Sequence, residues 1–157
     1  MLREATCEMQ VQTYTVAMLP SGNKTSSPVL RSPCPIAGAL DLLGDRWTLL
    51  VIRDLLLYDK RRFVEFLSSP EHISTNILAD RLDRLERCGL VQRRRYAAHP
   101  PREEYQPTSR AWDLAAVLRE LIHWGQRHVA GTAKSPPSEV SERGRRLMNR
   151  PHGTSHR

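Results

Sequence analysis

The sequence predicts a mainly α-helical fold with one small β-hairpin. Three observations carry this expectation. Apolar residues recur at helical spacing through most of residues 34–129. One amphipathic helix, opened by Ser74 and ended by Gly89, runs straight into a strand carrying Arg93, Arg94 and Arg95. A second short strand returns after Ala97-Ala98-His99-Pro100-Pro101, a turn that resists further sheet pairing. In a basic chain, this order of helix and hairpin is how a winged helix-turn-helix sets one helix in the DNA major groove with a β-wing beside it.

The chain has 157 residues, enough for one domain with a modest core. Its formal net charge of +7 favours a polyanionic partner, nucleic acid or an anionic membrane surface. No apolar run approaches the roughly 20 residues of a membrane span, so no membrane partner is expected. Met1-Leu2-Arg3-Glu4-Ala5-Thr6 lacks the basic start and apolar core of a signal peptide. Cys7, Cys34 and Cys88 have no scaffold-like spacing, which argues for a reducing cytoplasm rather than a disulfide framework.

Residues 1–32 read as a flexible arm, because Pro20 to Pro28 is polar and turn-rich with nothing to bury. Residues 33–130 are the expected winged helix-turn-helix and dimerisation domain. A short helix over Ile36 to Leu43 tolerates Pro35 in its first turn, where no amide donor is needed. Asp45 can cap the next helix, from Arg46 to about Leu57, whose apolar residues cover most sides and mark it as central. Arg62 to Ser68 is a third short helix. The fourth buries Leu78, Leu82 and Leu85 on one face, with Ser74 placed to accept from a first-turn amide. Asn76, Asp80, Asp83, Arg84 and Arg87 fall opposite that face. Arg81, at the edge of the apolar stripe, is expected to form a structural ion pair. Leu90 to Tyr96 and Arg102 to Gln106 are the wing strands. A long helix from Ser109 to about Val129 carries Leu114, Val117, Leu118, Leu121, Ile122 and Trp124. Its apolar face exceeds what a small domain needs, so part of it is expected against a second subunit. Residues 131–157 read as a disordered basic tail.

Cys34-Pro35, Ala39-Leu40-Asp41-Leu42-Leu43-Gly44-Asp45-Arg46-Trp47, Arg62-Phe63 and the fourth helix stand in an order that resembles the HxlR family of bacterial transcription regulators. Pro100-Pro101-Arg102-Glu103-Glu104-Tyr105 and Trp124-Gly125-Gln126-Arg127-His128 extend the likeness to about Val129. The resemblance implies a winged helix-turn-helix and a homodimer built from the N-terminal segment and the long C-terminal helix. It further implies partly palindromic operators and, in many members, a response to reactive small molecules. The chain departs from the family pattern at Glu103 and Pro107, where aliphatic residues are usual, at Ala111, usually glycine, and at Cys88, usually acidic or small.

The expected DNA-binding residues are Thr75, Asn76, Arg84, Arg87, Arg93, Arg94, Arg95 and Arg102. Asn76 has the donor–acceptor pair that reads adenine, and Thr75 can touch a phosphate or a thymine methyl. Arg84 and Arg87 can hold phosphates or read guanine. Arg93, Arg94 and Arg95 alternate faces along a strand and cannot all meet one groove. Arg102 stands at the wing base. For Asp80 and Asp83 a solvated helix face is the preferred reading. Leu114, Leu118, Leu121, Ile122 and Trp124 are the expected dimer contact. Cys34 stands before a helix start, where the helix dipole favours a thiolate able to meet oxidants or electrophiles; the alternative is a small buried hydrophobe in the dimer contact. The resemblance adds to the first reading, since a matching cysteine senses in some relatives.

No metal ligand set, cofactor site or catalytic constellation is expected: His123 and His128 miss the four-residue spacing, and no phosphate-binding glycine loop or nucleophile elbow occurs. The expected function is a homodimeric, sequence-specific, DNA-binding transcriptional regulator, a repressor, responsive to oxidants, electrophiles or a small ligand. The alternative is a winged-helix module that contacts protein or RNA without operator specificity.

Overall fold

The computed structural model describes residues 32–98, 101–133 and 140–149. The expected N-terminal arm, with Cys7 and Arg31, and the wing-tip residues His99 and Pro100 lie outside them. The elements run α1 (Pro35–Leu43), α2 (Thr48–Leu57), α3 (Phe63–Leu67), α4 (Thr75–Arg87), β1 (Val91–Ala98), β2 (Pro101–Pro107), α5 (Ser109–Asp113), α6 (Ala115–His128) and α7 (Glu142–Met148). The protein is thus mainly helical with a two-stranded antiparallel sheet, as the periodicity predicts.

The core forms where the faces of α2, α3 and α4 meet. Ile52, Leu55 and Leu56 of α2, Phe66 of α3, and Leu78, Leu82 and Leu85 of α4 are fully enclosed. The α2 helix starts where Asp45 allows. One Asp45 carboxylate oxygen accepts from the amides of Trp47, at 2.9 Å, and Thr48, at 3.0 Å, and the other accepts from the Thr48 hydroxyl. Buried Asp54, also on α2, is satisfied by Arg53, Lys60 and the Ser69 hydroxyl, so its charge does not stand alone in the core.

The end of α4 fixes the wing. Gly89 takes φ +68°, a left-handed conformation that side chains disfavour. There its amide donates to the Glu86 carbonyl and that of Leu90 to the Leu85 carbonyl, both at 2.9 Å. These are the two bonds of a Schellman cap. The Arg110 guanidinium donates to the freed Cys88 carbonyl at 2.9 Å. Thr108 ties the far end of the hairpin back, its hydroxyl donating to the Gly89 carbonyl at 2.8 Å. Between these anchors β1 pairs with β2 from Val91 opposite Pro107 to Ala98 opposite Pro101, with an irregularity between Arg95 and Ala97. Pro107 and Glu103, which depart from the family pattern, are accommodated: Pro107 ends the strand, and Glu103 lies 3.5 Å from Arg93. The Tyr105 amide donates to the Arg61 carbonyl at 2.8 Å, so the segment before α3 adds one bond of a third strand.

Three expectations are corrected. The long helix is broken at Leu114 into α5 and α6, because Ala111, Leu114 and Leu118 must turn onto the core together. Ser74 occupies the N-cap position of α4, but its side chain caps no amide. The third concerns the tail: residues 142–148 form α7, opened by Ser141, whose hydroxyl accepts from the Gly144 amide at 3.0 Å. Buried Val140 and the close approach of Gly144 to Leu57 hold it against α2. The sequence hid this, since the docking uses one valine, one glycine, one backbone bond and the Arg143 guanidinium stacked on Trp112 rather than an apolar stripe.

Candidate nucleic-acid interface

Burial of Leu78, Leu82 and Leu85 turns the opposite face of α4 outward. Thr75, Asn76, Ala79, Asp80, Asp83 and Arg87 are all exposed on it. With Ser74 capping no amide, the first turn of α4 keeps its N–H groups directed at solvent, an arrangement that suits a phosphate oxygen.

Among the described residues, three ion pairs involve Arg81 and Arg87 of this helix, and one of them reaches beyond it. Arg81 lies 3.3 Å from Asp45 and 3.2 Å from Asp80, the structural role expected of it. It therefore joins α4 to the start of α2. Burial disfavours the charged Asp45, but the Thr48 hydroxyl, the two amides and Arg81 outweigh it and hold the carboxyl below its ordinary range. Arg87 pairs with Asp83 one turn earlier at 3.1 Å, so both acidic residues of the exposed face have basic neighbours.

Arg84 is placed differently from expectation. Its guanidinium donates to the Asp41 carbonyl of α1, and the residue is only half-exposed. It clamps α1 to α4 rather than standing on the outward face. Helical spacing alone could not separate this position from a solvent-facing one, because the acceptor is a backbone atom on another element.

The wing divides its arginines by register. Arg93 stands opposite Tyr105, on the face that turns toward α4. It lies 3.1 Å from Glu86 and 5.5 Å from the Tyr105 ring centroid. Burial opposes its charge, but Tyr105, Glu86 and Glu103 together raise its affinity for the proton. Arg93 thus braces the wing against α4. Arg94 projects to the opposite face, beside Glu104, and Arg95 lies opposite Glu103. Arg94, Arg95 and Arg102 are exposed and form no ion pair among the described residues. Sequence reasoning missed one further pair: the Arg62 guanidinium sits 5.4 Å from the Tyr96 ring centroid, linking the start of α3 to the wing. Nothing in the local pattern around either residue signals that contact.

The expected dimer residues also separate. Leu118 is 5% exposed and belongs to the core, which leaves it no surface for an intermolecular contact, while Leu114 is partly buried against the core. Val117, Leu121 and Trp124 are exposed, Trp124 by 55%. On α1, Ile36 and Leu40 are exposed too, by 71% and 54%. Cys34 is exposed at the start of α1, its amide donating to the Ser32 hydroxyl at 3.1 Å. Cys88 is partly buried against the core.

Residues 42–133 match the model of the HxlR-like helix-turn-helix family. The chain belongs to that family. An uncharacterised HTH-type transcriptional regulator of Halalkalibacterium halodurans is 34% identical over 94 residues, 60% of this chain and 83% of that relative. One from Mycobacterium bovis is 36% identical over 105 residues, 67% of this chain; the chain spans 65% of that relative's length. Among solved structures, the reduced form of the transcriptional regulator YodB from B. subtilis has a TM-score of 0.53 and 32% identity, covering 64% of this chain and 98% of that one. The redox regulator HypR in its reduced form has a TM-score of 0.57 and 28% identity, covering 62% and 95%. This HxlR-like chain is accordingly a helix-turn-helix transcriptional regulator by family, and no helix among the described residues is long and apolar enough to cross a membrane.

Proposed function

We propose that this chain is a homodimer that binds a two-fold DNA operator through α4 and the wing. One observation carries the reading. The open first turn of α4, with Thr75 and Asn76 exposed on it, lies on the same domain as three exposed wing arginines that form no ion pair among the described residues. Asn76 reads a base edge, Thr75 and the helix N-terminus hold a phosphate, and Arg94, Arg95, Arg102 and Arg87 neutralise backbone charge. The exposed apolar residues of α1 and α6 support a second copy as partner, which sets two α4 helices about 34–36 Å apart in successive major grooves. Occupation of an operator overlapping a promoter represses.

Cys34 gives this reading an effector. It stands at the head of α1, beside the exposed Ile36 and Leu40. Hydrogen peroxide would convert its thiol to a sulfenic acid, the O–O bond breaking with release of water, and an electrophile would add to the sulfur with loss of the thiol proton. Either change alters α1, and unequal affinity of two dimer geometries for DNA converts it into a signal. Likeness to HypR, named as a redox regulator, supports this.

The test is fluorescence anisotropy of reduced protein with the duplex upstream of its own gene and a scrambled duplex, across a salt series. A preference of about a thousandfold is expected. Equal binding with steep salt dependence at every upstream duplex tried would leave phosphate attraction alone and overturn the operator reading.

A further inference from the structure

Beyond the family match ending at residue 133, α7 completes a cleft that the winged core alone would not have. The cleft lies between the C-terminal end of α2, the second half of α6 and α7, and holds about 240 Å³. Leu57, Leu121, Ile122, Val140 and Met148 make its walls apolar. The outer wall is fixed in place. The Ser141 amide donates to the Leu57 carbonyl at 2.8 Å, and Arg143 stacks 3.8 Å from the Trp112 ring centroid.

The polar groups on the cleft define what it can hold. Arg53 lines it, but its guanidinium is committed to two carboxylates, with Nε 2.9 Å from Asp54 and Nη2 3.0 Å from Glu71. Among the described residues, no uncompensated cation lines the cleft to receive an acid. The Thr132 hydroxyl donates to the Val129 carbonyl at 2.9 Å. The Gln126 amide nitrogen donates to the Ala133 carbonyl at 3.2 Å, leaving Oε1 as an acceptor. A cavity of about 150 Å³ lined by aliphatic residues accepts benzene, so one roughly half as large again suits two fused rings. We propose that the α2–α6–α7 cleft is a binding site for small neutral aromatic alcohols, whose rings contact the aliphatic walls and whose hydroxyl donates to Gln126. Its use as an effector site rests on the regulator reading; binding itself does not.

Gly125 supplies the test. It lies on α6 in the cleft wall, and a Cβ built there meets nothing within 4 Å. Gly125→Leu therefore fills the cleft without displacing backbone, and it removes a glycine from a helix. Isothermal titration calorimetry of the full reduced chain, without DNA, would use 2-naphthol and 2-naphthoate as probes. Expected are saturable one-to-one binding of 2-naphthol, at least tenfold weaker binding of 2-naphthoate, and at least tenfold weaker 2-naphthol binding in Gly125→Leu with Tm maintained. Gln126→Leu is expected to weaken 2-naphthol severalfold and serves alone if Gly125→Leu does not fold. Absence of saturable 2-naphthol binding would overturn the site. So would an unchanged Kd in folded Gly125→Leu or in Gln126→Leu. Equal affinity for the naphthoate would overturn the neutral ligand class.

Discussion

Arg81 of α4 lies 3.3 Å from the Asp45 carboxylate that also holds the first turn of α2. One carboxylate therefore starts the central helix and fixes the helix that faces outward. Both side chains are mostly shielded from solvent, at 21% and 27% exposure.

Asp45→Ala is expected to cost about 0.5–2 kcal/mol, the range for a lost helix cap, with a further loss from the unpaired Arg81. Urea denaturation measures it. An unchanged midpoint would mean that Asp45 does not hold the α2–α4 joint.

Acid should weaken the fold through the same group. The carboxyls of Asp45 and Glu71 are held below their ordinary values: Asp45 by Thr48, two amides and Arg81 against its burial, Glu71 mainly by Arg53. A depressed folded value adds stability above the unfolded value and loses it as pH falls through the folded one. Tm is thus expected to hold down to about pH 5 and to fall below about pH 4, where these carboxyls take up protons. Asp45→Asn should flatten that fall. A Tm insensitive to pH from 5 to 3 would contradict it.

Gly144→Ala should release α7. A Cβ there would stand 2.4 Å from the Leu57 carbonyl oxygen and 2.8 Å from its Cα, both backbone atoms that cannot swing away. An overpacking cost of about 1–3 kcal/mol is expected, and hydrogen exchange should rise in α7 while α4 stays protected. Equal protection of α7 in both proteins would show that the close approach is relieved without undocking.

The wing arginines should fall into two classes. Arg94→Ala and Arg95→Ala are expected to leave Tm unchanged and each to reduce the salt slope of DNA binding by about one. Arg93→Ala is expected to lower Tm, because its guanidinium bridges Glu86, Glu103 and Tyr105. Asn76→Ala should cost about 1–3 kcal/mol against the preferred operator and relax the choice of one base. A uniform loss across all duplexes would assign Asn76 to a phosphate instead.

Trp124→Glu with Leu121→Asp should give a monomer by light scattering where the parent chain gives a dimer. Both residues are exposed on α6, so the fold itself should survive. A parent chain that is monomeric at working concentration would remove the dimer from the proposal.

What the sequence by itself determined is local and periodic. Leucines at helical spacing dictated α4, and Gly89 dictated its end, because only a residue free at positive φ closes that cap. The alternating arginine strand after it announced the wing. The capping carboxylate of Asp45 and the structural use of Arg81 were legible too, since each depends on neighbours a few positions away or on the edge of a stripe. The tertiary structure decided which outward-looking residue has a partner elsewhere. Arg84 turns to an α1 carbonyl, Arg93 to Glu86 and Tyr105, and Arg62 to the Tyr96 ring. It also sent Leu118 inward and docked α7 through Gly144. These are contacts between segments distant in the chain, often to backbone atoms that every residue carries. Residue type and spacing encode neither the partner nor the approach, so only packing could reveal them.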